Sequence, residues 1–395
     1  MHPRIPAAVL ATVLALTATA CGDNASTDDD GTIRIGMIAE LTGPLQSLGT
    51  EARKAAELAV DQVNEDGGID GRELELVVED SQGKPEQSVL ALDSFADEGV
   101  AAVLGSSSSL VTSATLPSVD RAEIPYLSLT PTDEQVTEDH PYVFVIPALA
   151  SHYAEALLRY YQAEGISRLA VVHDTETTYP LAGNEAMQAL ASDYGIEIVR
   201  TEEIQYDADD FSQVFTHVRG TDAQAMVVWL SGGGAVTLVK QYEASGLDLP
   251  IAFTGSQASR LWLDPAGEAA EGTTVASAIG VVGDHLPEGE QRRAIEELST
   301  AFEAEYGYQP PQFAQDGYTG VMVLAAALEQ AGGTDPEAIR QALEGLSLTT
   351  PNGTYHYSAE DRSGLSPDYV SVNTVVDGAF VPTDWSLDQL ERVAE

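Results

Sequence analysis

Residues 33–78 read IRIGMIAELTGPLQSLGTEARKAAELAVDQVNEDGGIDGRELELVV. The apolar run 33–41 predicts a strand, and a turn follows it at Thr42-Gly43-Pro44. Apolar residues then recur at helical spacing from Ala55 to Val63, and Gly67-Gly68 ends the predicted helix. A second apolar run, Leu74 to Val78, predicts another strand. Two strands joined by a helix of this length indicate a parallel pair in a sheet.

The same alternation continues along the chain. Further strands are predicted at Val100–Leu104, Ile124–Leu129, Leu169–His173, Ile196–Val199, Ala225–Leu230 and Ile251–Thr254. A helical stretch from Glu288 to Leu346 follows, and the tail from Thr350 returns to turn and strand character. The strands form two series, so we predict an α/β protein with two doubly wound, mostly parallel sheets in two lobes.

Composition excludes several classes of function. The chain has 395 residues, long enough for two domains with cores of their own. It carries 18 Lys and Arg against 63 Asp and Glu, a net charge of −45 that argues against nucleic-acid binding. A single cysteine excludes a disulfide framework and a cysteine-rich metal site. We expect no metal, no cofactor and no nucleic-acid partner.

The N-terminus is typical of an exported protein. Arg4 precedes an apolar run from Ala7 to Ala20, and residues 1–20 are predicted to be a signal peptide. Small residues before Cys21 resemble a lipobox, although Ala18 stands where Leu is usual. We therefore expect Cys21 to be acylated and residues 21–31 to form a flexible tether. The alternative is an ordinary signal peptide cut near Ala20, which leaves a free thiol.

Ligands of open parallel sheets bind beyond the carboxyl ends of the strands, which directs attention to the loops there. Gly105 and the four serines 106–109 follow one strand and precede a helix, where hydroxyls and free N–H groups can hold a carboxylate. The alternative is helix capping, for which one serine suffices. The next loop offers Thr130, Thr132 and Glu134, and a plain turn with a helix cap explains it equally well.

Other motifs favour binding over catalysis. Ser231 and the glycines 232–234 follow a strand, but the spacing of a dinucleotide fingerprint is missing. No G-x-S-x-G elbow occurs, and the seven histidines lack metal-ligand spacing. Nothing assembles a nucleophile with a base, so we predict that the protein is not an enzyme. Tyr179 and Phe313 are candidate walls of a binding cleft, although aromatic residues more often pack in a core.

Several of these motifs together resemble one family. The segments 41–44 (LTGP), 64–71 (NEDGGIDG) and 76–80 (LVVED) resemble the N-terminal signature of the branched-chain amino-acid-binding proteins. These are type I periplasmic binding proteins that serve ABC transporters. The resemblance continues to residue 328 and covers nearly the whole mature chain.

The resemblance implies two lobes that are joined by three crossing segments and close over a small ligand. The crossing segments would lie near Val145–Ala148, Thr274–Ala278 and Leu348–Gly353. Lobe 1 would then comprise residues 32–147 and 275–349, and lobe 2 residues 148–274 and 350–395.

The resemblance also implies a binding site. Ser107, Ser108 and Ser109 would meet the ligand carboxylate. The amine would meet the loop of Thr132 and Glu134 together with an acid of the second lobe. Tyr179 and Phe313 would supply aromatic contacts.

Two positions depart from the family pattern. Gln257 stands where the second-lobe acid is expected, and Leu48 replaces an aromatic residue. An ammonium group buried without a carboxylate is costly, so either Glu134 or Asp316 supplies the charge or the ligand is not an α-amino acid. An amide, a urea-like compound or an aromatic carboxylate is then the alternative.

The implied function is that of a receptor for an ABC importer. We expect a monomer that is held at the outer face of a bacterial membrane by its lipid alone and docks on permease subunits. A module that reports ligand to a signalling partner is the main alternative.

Overall fold

The structure is a computed structural model that describes residues 31–393. The predicted signal peptide, Cys21 and the predicted tether up to residue 30 lie outside these residues. Within 31–393, no helix is long and apolar enough to cross a bilayer.

The first sheet has five parallel strands in the order β2-β1-β3-β4-β5. The strands are β1 (Thr32–Ala39), β2 (Glu73–Asp80), β3 (Val103–Leu104), β4 (Tyr126–Ser128) and β5 (Val143–Val145). β1 lies between β2 and β3, so the strand order reverses there and opens a crevice at the carboxyl ends. The predicted unit of two parallel strands joined by a helix is confirmed.

The second sheet has seven strands in the order β14-β13-β10-β9-β8-β6-β7. They are β6 (Arg168–Asp174), β7 (Glu197–Ile204), β8 (Ala225–Trp229), β9 (Ile251–Phe253), β10 (Thr274–Ala278), β13 (Val370–Val376) and β14 (Ala379–Pro382). β6 to β10 are parallel, whereas β13 runs antiparallel to both β10 and β14. Only the two residues Asp377 and Gly378 connect β13 to β14, and a turn this short allows no parallel pairing. The predicted α/β class with mostly parallel sheets is confirmed. The sequence analysis did not predict the antiparallel strands β13 and β14 at the edge of the second sheet.

Twelve α-helices cover the sheets or pack against one another within the described residues. They are α1 (Gln46–Glu65), α2 (Pro85–Glu98), α3 (Ser109–Ala122), α4 (Ala150–Ala163), α5 (Thr178–Leu190), α6 (Ser212–Arg219), α7 (Gly234–Ser245), α8 (Arg260–Ala266), α9 (Glu290–Tyr306), α10 (Gln312–Ala331), α11 (Pro336–Glu344) and α12 (Asp384–Val393). The predicted helical stretch 288–346 is thus three helices. Asp335 is the N-cap of the last of these helices, α11. Its side chain accepts a hydrogen bond from the Ala338 amide, and Pro336 lies in the first turn.

The almost wholly buried helix α10 packs closely against α1. At Gly317, an added Cβ would overlap the carbonyl oxygen of Ala52 on α1, so the contact requires glycine at that position. Small side chains along both helices allow this close approach. The packing fixes the direction of α10 and carries its first turns to the edge of the first sheet.

The predicted crossing segments have different structures. Residues 146–149 lead from β5 into α4, whereas Thr274–Ala278 is strand β10, so the chain leaves the second sheet only after Ala278. The third segment contains the hairpin of β11 (Ser347–Thr350) and β12 (Gly353–His356). The assignment of residues to lobes remains a prediction.

The third crossing region is tied to the first by tyrosine hydroxyls. Tyr355 donates to the carbonyl of Ile146, and Tyr357 donates to the carbonyl of Val145 over 2.8 Å. The two rings stack with their centroids 5.2 Å apart. These contacts hold the hairpin against the end of β5.

Candidate ligand-binding cleft

Loops at the carboxyl ends of both sheets line one cleft. The first sheet contributes the loops after β1, β3, β4 and β5, and the second sheet contributes those after β6, β7, β8 and β9. The start of α10 completes the wall. The lining residues are Leu45, Leu48, Ser107, Ser108, Ser109, Leu129, Thr130, Pro131, Pro147, Tyr153, Thr177, Tyr179, Tyr206, Ser231, Gly255, Ser256, Gln312, Phe313 and Asp316.

Residues 105–109, here called the serine loop, are held from behind by Glu40. The Glu40 carboxylate lies just after β1 and is fully buried. It accepts hydrogen bonds from the hydroxyls of Ser106 and Ser81 and from the Ser107 amide. One side chain thereby joins the loops that follow β1, β2 and β3 at the point where the strand order reverses. Burial raises the pKa of Glu40, and these hydrogen bonds partly oppose that rise.

The front of the serine loop faces the cleft. Ser107 and Ser108 precede α3, and Ser109 is its first residue, so hydroxyls and the helix N-terminus point to the same space. No acidic residue occupies the first turn of α3. Thr130 supports the loop from β4 by donating to the Ser106 carbonyl over 2.8 Å. This arrangement is suited to binding an anion without a cationic side chain.

The second sheet supplies an aromatic wall. Asp174, at the end of β6, accepts hydrogen bonds from the amides of Glu176 and Thr177 and so shapes the entry to α5. Tyr179 in the first turn of α5 contacts the indole of Trp229 edge-on, with centroids 5.4 Å apart. The Tyr179 amide donates to the Ser109 hydroxyl oxygen over 3.3 Å. Segments that follow strands of the two sheets therefore contact each other at the edge of the cleft.

Gln312, in the first turn of α10, connects elements on several sides. Its side-chain amide donates to the Tyr153 hydroxyl over 2.7 Å, and its side-chain carbonyl accepts from the Ala278 amide over 3.1 Å. A Cβ at Gly255 would lie 2.6 Å from the Gln312 nitrogen, so that loop passes close to this pair. These hydrogen bonds connect α10 to α4 and to the end of β10 beside the cleft.

Asp316 lies one turn further along α10 and is the single acidic residue in the lining. It is 2% exposed, and one of its oxygens accepts a hydrogen bond of 2.7 Å from the Asn352 side-chain amide. Burial raises the pKa of Asp316 to about 7, against a smaller opposing effect of that hydrogen bond. No Lys, Arg or His appears among the lining residues of the described chain.

Seven of the predicted ligand-binding residues line this cleft. They are Ser107, Ser108, Ser109, Thr130, Tyr179, Ser231 and Phe313. Six of these positions follow from the strand-end rule, because the loops after parallel strands share one edge of each sheet, whereas Phe313 reaches the cleft at the start of α10. Their roles in binding remain predictions.

The other three predicted residues lie outside the lining, since each has a nearer partner. The Thr132 hydroxyl is buried against Gln135. Glu134 accepts a hydrogen bond of 2.5 Å from Ser113 and lines a separate surface depression. Gln257 donates to the Leu230 carbonyl over 2.9 Å and accepts from Ser256. Of the two acids that were candidates to supply a charge, only Asp316 faces the cleft.

Five polar lining residues were not predicted: Tyr153, Thr177, Tyr206, Ser256 and Gln312. Thr177 and Ser256 lie in the loops after β6 and β9, which the strand-end rule had indicated. These two residues would have been predicted if every polar residue of those loops had been considered. Tyr153 follows the helical pattern of a core residue, and Gln312 is placed by contacts distant in sequence. No group of three or more His, Cys, Asp or Glu within 31–393 is suited to hold a metal ion.

Two sheets whose strand ends line a polar and aromatic cleft are typical of a solute-binding protein. The sequence model of the periplasmic binding protein family matches residues 32–375, and the chain belongs to that family. Its fold is the type I fold, and it is a solute-binding protein of the ABC-transporter type with an extracytoplasmic location.

Curated relatives extend the similarity over most of the chain. A Leu/Ile/Val-binding protein homolog 3 of Brucella melitensis is 28% identical over 82% of this chain and 87% of its own. A leucine-, isoleucine-, valine-, threonine- and alanine-binding protein of Pseudomonas aeruginosa is 26% identical over 82% and 84%.

Solved structures share the fold. A periplasmic binding protein type 1 from Bordetella pertussis superposes with a TM-score of 0.80, 25% identity, and coverage of 89% of this chain and 100% of its own. The Streptococcus pneumoniae branched-chain amino acid transporter substrate-binding protein, in complex with isoleucine, gives 0.78 at 24% identity over 88% and 97%. A Rhodopseudomonas palustris solute-binding protein in complex with benzoate gives 0.77 at 19% identity over 89% and 95%.

Proposed function

We propose that this protein is the receptor of an ABC importer and that it captures a small organic carboxylate, an amino-acid-like compound in the first instance, between its two lobes. The observation that carries the proposal is the serine loop at the N-terminus of α3, which lines the cleft. Hydroxyls and main-chain N–H groups at a helix N-terminus favour a carboxylate. The net charge of −45 makes such local recognition necessary, because the chain as a whole repels anions.

The remaining lining supports an organic ligand of modest size. Leu45, Leu48 and Phe313 provide apolar surface, and Tyr153 and Tyr179 provide aromatic surface with hydroxyl groups. A cleft that combines apolar walls with a few converging polar groups is typical of small-molecule sites. Relatives described as binding leucine, isoleucine, valine, threonine and alanine support the amino-acid class. A protein with the same fold has been crystallised in complex with benzoate, so aromatic carboxylates are included in the ligand screen below.

Contacts between the lobes support capture by closure. Besides the hydrogen bond between Ser109 and Tyr179, the hydroxyls of Ser113 and Thr178 lie 3.3 Å apart. These groups belong to the first two turns of α3 and the first turn of α5. Ligand binding would be coupled to closure because the same serine loop faces the ligand and contacts the opposite lobe.

We also propose how the protein is attached at its extracytoplasmic location. Acylation of Cys21 would anchor the receptor to the outer face of the membrane, close to the permease subunits. Mass spectrometry of the protein purified from membranes tests this: the mature N-terminus should be Cys21 with a diacylglycerol mass, and a Cys21→Ser variant should be released. An unmodified N-terminus near residue 21 would contradict the anchor.

A ligand screen tests the function itself. Native mass spectrometry before and after denaturing dialysis detects a co-purified ligand, and a thermal-shift screen then covers amino acids, amides, urea and aromatic acids. A ligand present at 100 times its Kd stabilises the folded state by about 2.7 kcal/mol, which is visible as a raised Tm. Binding of at least one carboxylate is expected. Stabilisation by neutral amides alone would contradict the proposed carboxylate class.

A further inference from the structure

Asp316 is the one acidic residue in the lining of the cleft, and no positively charged side chain is among the lining residues of the described chain. We propose that Asp316 determines specificity by binding a cationic nitrogen of the ligand, so that the receptor takes compounds with both an ammonium and a carboxylate group. This inference rests on the proposed function and adds to it the second charge of the ligand and the residue that selects it.

The first observation is the bonding of the Asp316 side chain. One carboxyl oxygen accepts the hydrogen bond from Asn352, and no hydrogen bond to the other oxygen is formed within residues 31–393. The residue lines the cleft with only 2% of its surface exposed. A nearly desolvated carboxylate with a free oxygen toward a cavity is a strong site for an ammonium donor.

The second observation concerns the charges around it. Tyr153 on α4 and Tyr355 on β12 interact electrostatically with Asp316, and burial raises the pKa of each hydroxyl well above its usual range, so both stay neutral. On α1, which packs against α10, Glu51 and Lys54 form an ion pair with each other at 2.9 Å. None of these groups neutralises Asp316. Removal of a carboxylate from water without a counter-charge is costly, and a ligand cation would offset that cost.

The third observation is that the other candidate acid is turned away. Glu134 is bonded to Ser113 outside the cleft, and position 257 carries a neutral amide bonded to the backbone. Asp316 is therefore the acid available to a ligand that the serine loop holds by its carboxylate. The serine loop follows β3 and Asp316 lies on α10, and both line the cleft, so one ligand with both charges would be bound by the two features together.

The same geometry sets the sign of the pH dependence. An ammonium group binds the ionised carboxylate, so affinity rises with pH as Asp316 loses its proton. With a pKa of about 7, binding should be about tenfold tighter at pH 8 than at pH 6. A neutral ligand that accepts a hydrogen bond from protonated Asp316 would show the opposite dependence.

Calorimetry with matched compounds tests the inference. The probes are the amino acids that stabilise the protein in a thermal-shift screen of all twenty, each paired with its carboxylate analogue lacking the amine, for example L-leucine with 4-methylpentanoate. Kd is measured at pH 6 and pH 8 for wild type, Asp316→Asn and the control Glu134→Gln, which removes an acid outside the cleft.

The expected result is that wild type and Glu134→Gln prefer the amino acid and bind it more tightly at pH 8. Asp316→Asn should weaken amino-acid binding at least tenfold, abolish its pH dependence and leave the analogue unaffected. Equal binding of both compounds by wild type, or tighter binding at pH 6, overturns the inference while the proposed function stands. The wild-type comparison decides this even if Asp316→Asn fails to fold. If no carboxylate binds, both the inference and the proposed function fail.

Discussion

The amide nitrogen of Tyr179 lies 3.3 Å from the hydroxyl oxygen of Ser109, and this hydrogen bond joins loops that follow strands of different sheets. Ser109 also lines the cleft, so one residue contacts both a loop of the second sheet and the space for a ligand. Changes at this residue should therefore alter both ligand binding and the contact between the two loops.

Substitution of Ser109 by alanine should weaken binding of the ligand found in the screen about tenfold or more, since a hydrogen bond to a charged group contributes about 1.5–3 kcal/mol. The free energy of unfolding should fall by about 1 kcal/mol, because the Tyr179 amide loses the acceptor of its long hydrogen bond. Calorimetry and urea denaturation measure the two quantities. Ser94→Ala on the exposed face of α2 is the matched control, and unchanged affinity in Ser109→Ala would remove the serine loop from the site.

Substitution of Glu40 by leucine should lower stability and affinity together. It leaves the hydroxyls of Ser81 and Ser106 and the Ser107 amide without their acceptor, and unpaired buried donors cost about 1–3 kcal/mol each. We expect a loss of about 2 kcal/mol or more in urea denaturation, with weaker ligand binding in calorimetry. Glu40→Gln keeps one carbonyl acceptor and should lose less. If Glu40→Leu retained full affinity, Glu40 would not position the serine loop.

Asp316 should make the unliganded protein less stable as pH rises. Its pKa in the folded state is about 7, above the usual 3.8, so the folded state binds the proton more strongly than the unfolded state. Stability is then lost between about pH 4 and pH 7. Relative to wild type, Asp316→Asn should gain up to about 4 kcal/mol at pH 8 and little at pH 4. Glu40 is present in both proteins, so its own titration cancels in this difference. Equal pH profiles in urea denaturation would show that Asp316 is not desolvated.

The contact between α1 and α10 should tolerate no side chain at Gly317. An alanine there overlaps the Ala52 carbonyl, and overpacking of this kind costs about 1–3 kcal/mol. Gly333→Ala, which meets no atom within 4 Å, is the control and should change stability by less than about 1 kcal/mol. Thermal denaturation compares the two variants. A Gly317→Ala protein as stable as the control would mean that the two helices can separate without loss.

Much of the fold could be predicted because its signals are local. The apolar run at Leu169–His173 and the helical spacing around Ala55 to Val63 each lie within a short window, and the structure has a strand and a helix there. The strand ends then indicate the edge of each sheet, and this rule predicted that the loop of Ser109 faces the cleft, whereas Tyr179 was predicted as an aromatic wall. The antiparallel pair β13 and β14 was less predictable, since both strands follow a long helical region.

By itself, the sequence determined much of the alternation of strands and helices, the presence of two sheets and several of the loops that face the cleft, because periodicity and turn chemistry act over a few residues. The tertiary structure alone decided which side chains in those loops reach the cleft. Gln257 turns to the Leu230 carbonyl and Glu134 to Ser113, whereas Asp316 is held toward the cleft by Asn352, 36 residues away. A polar side chain turns to the partner nearest in space, and only the folded chain determines which partner that is.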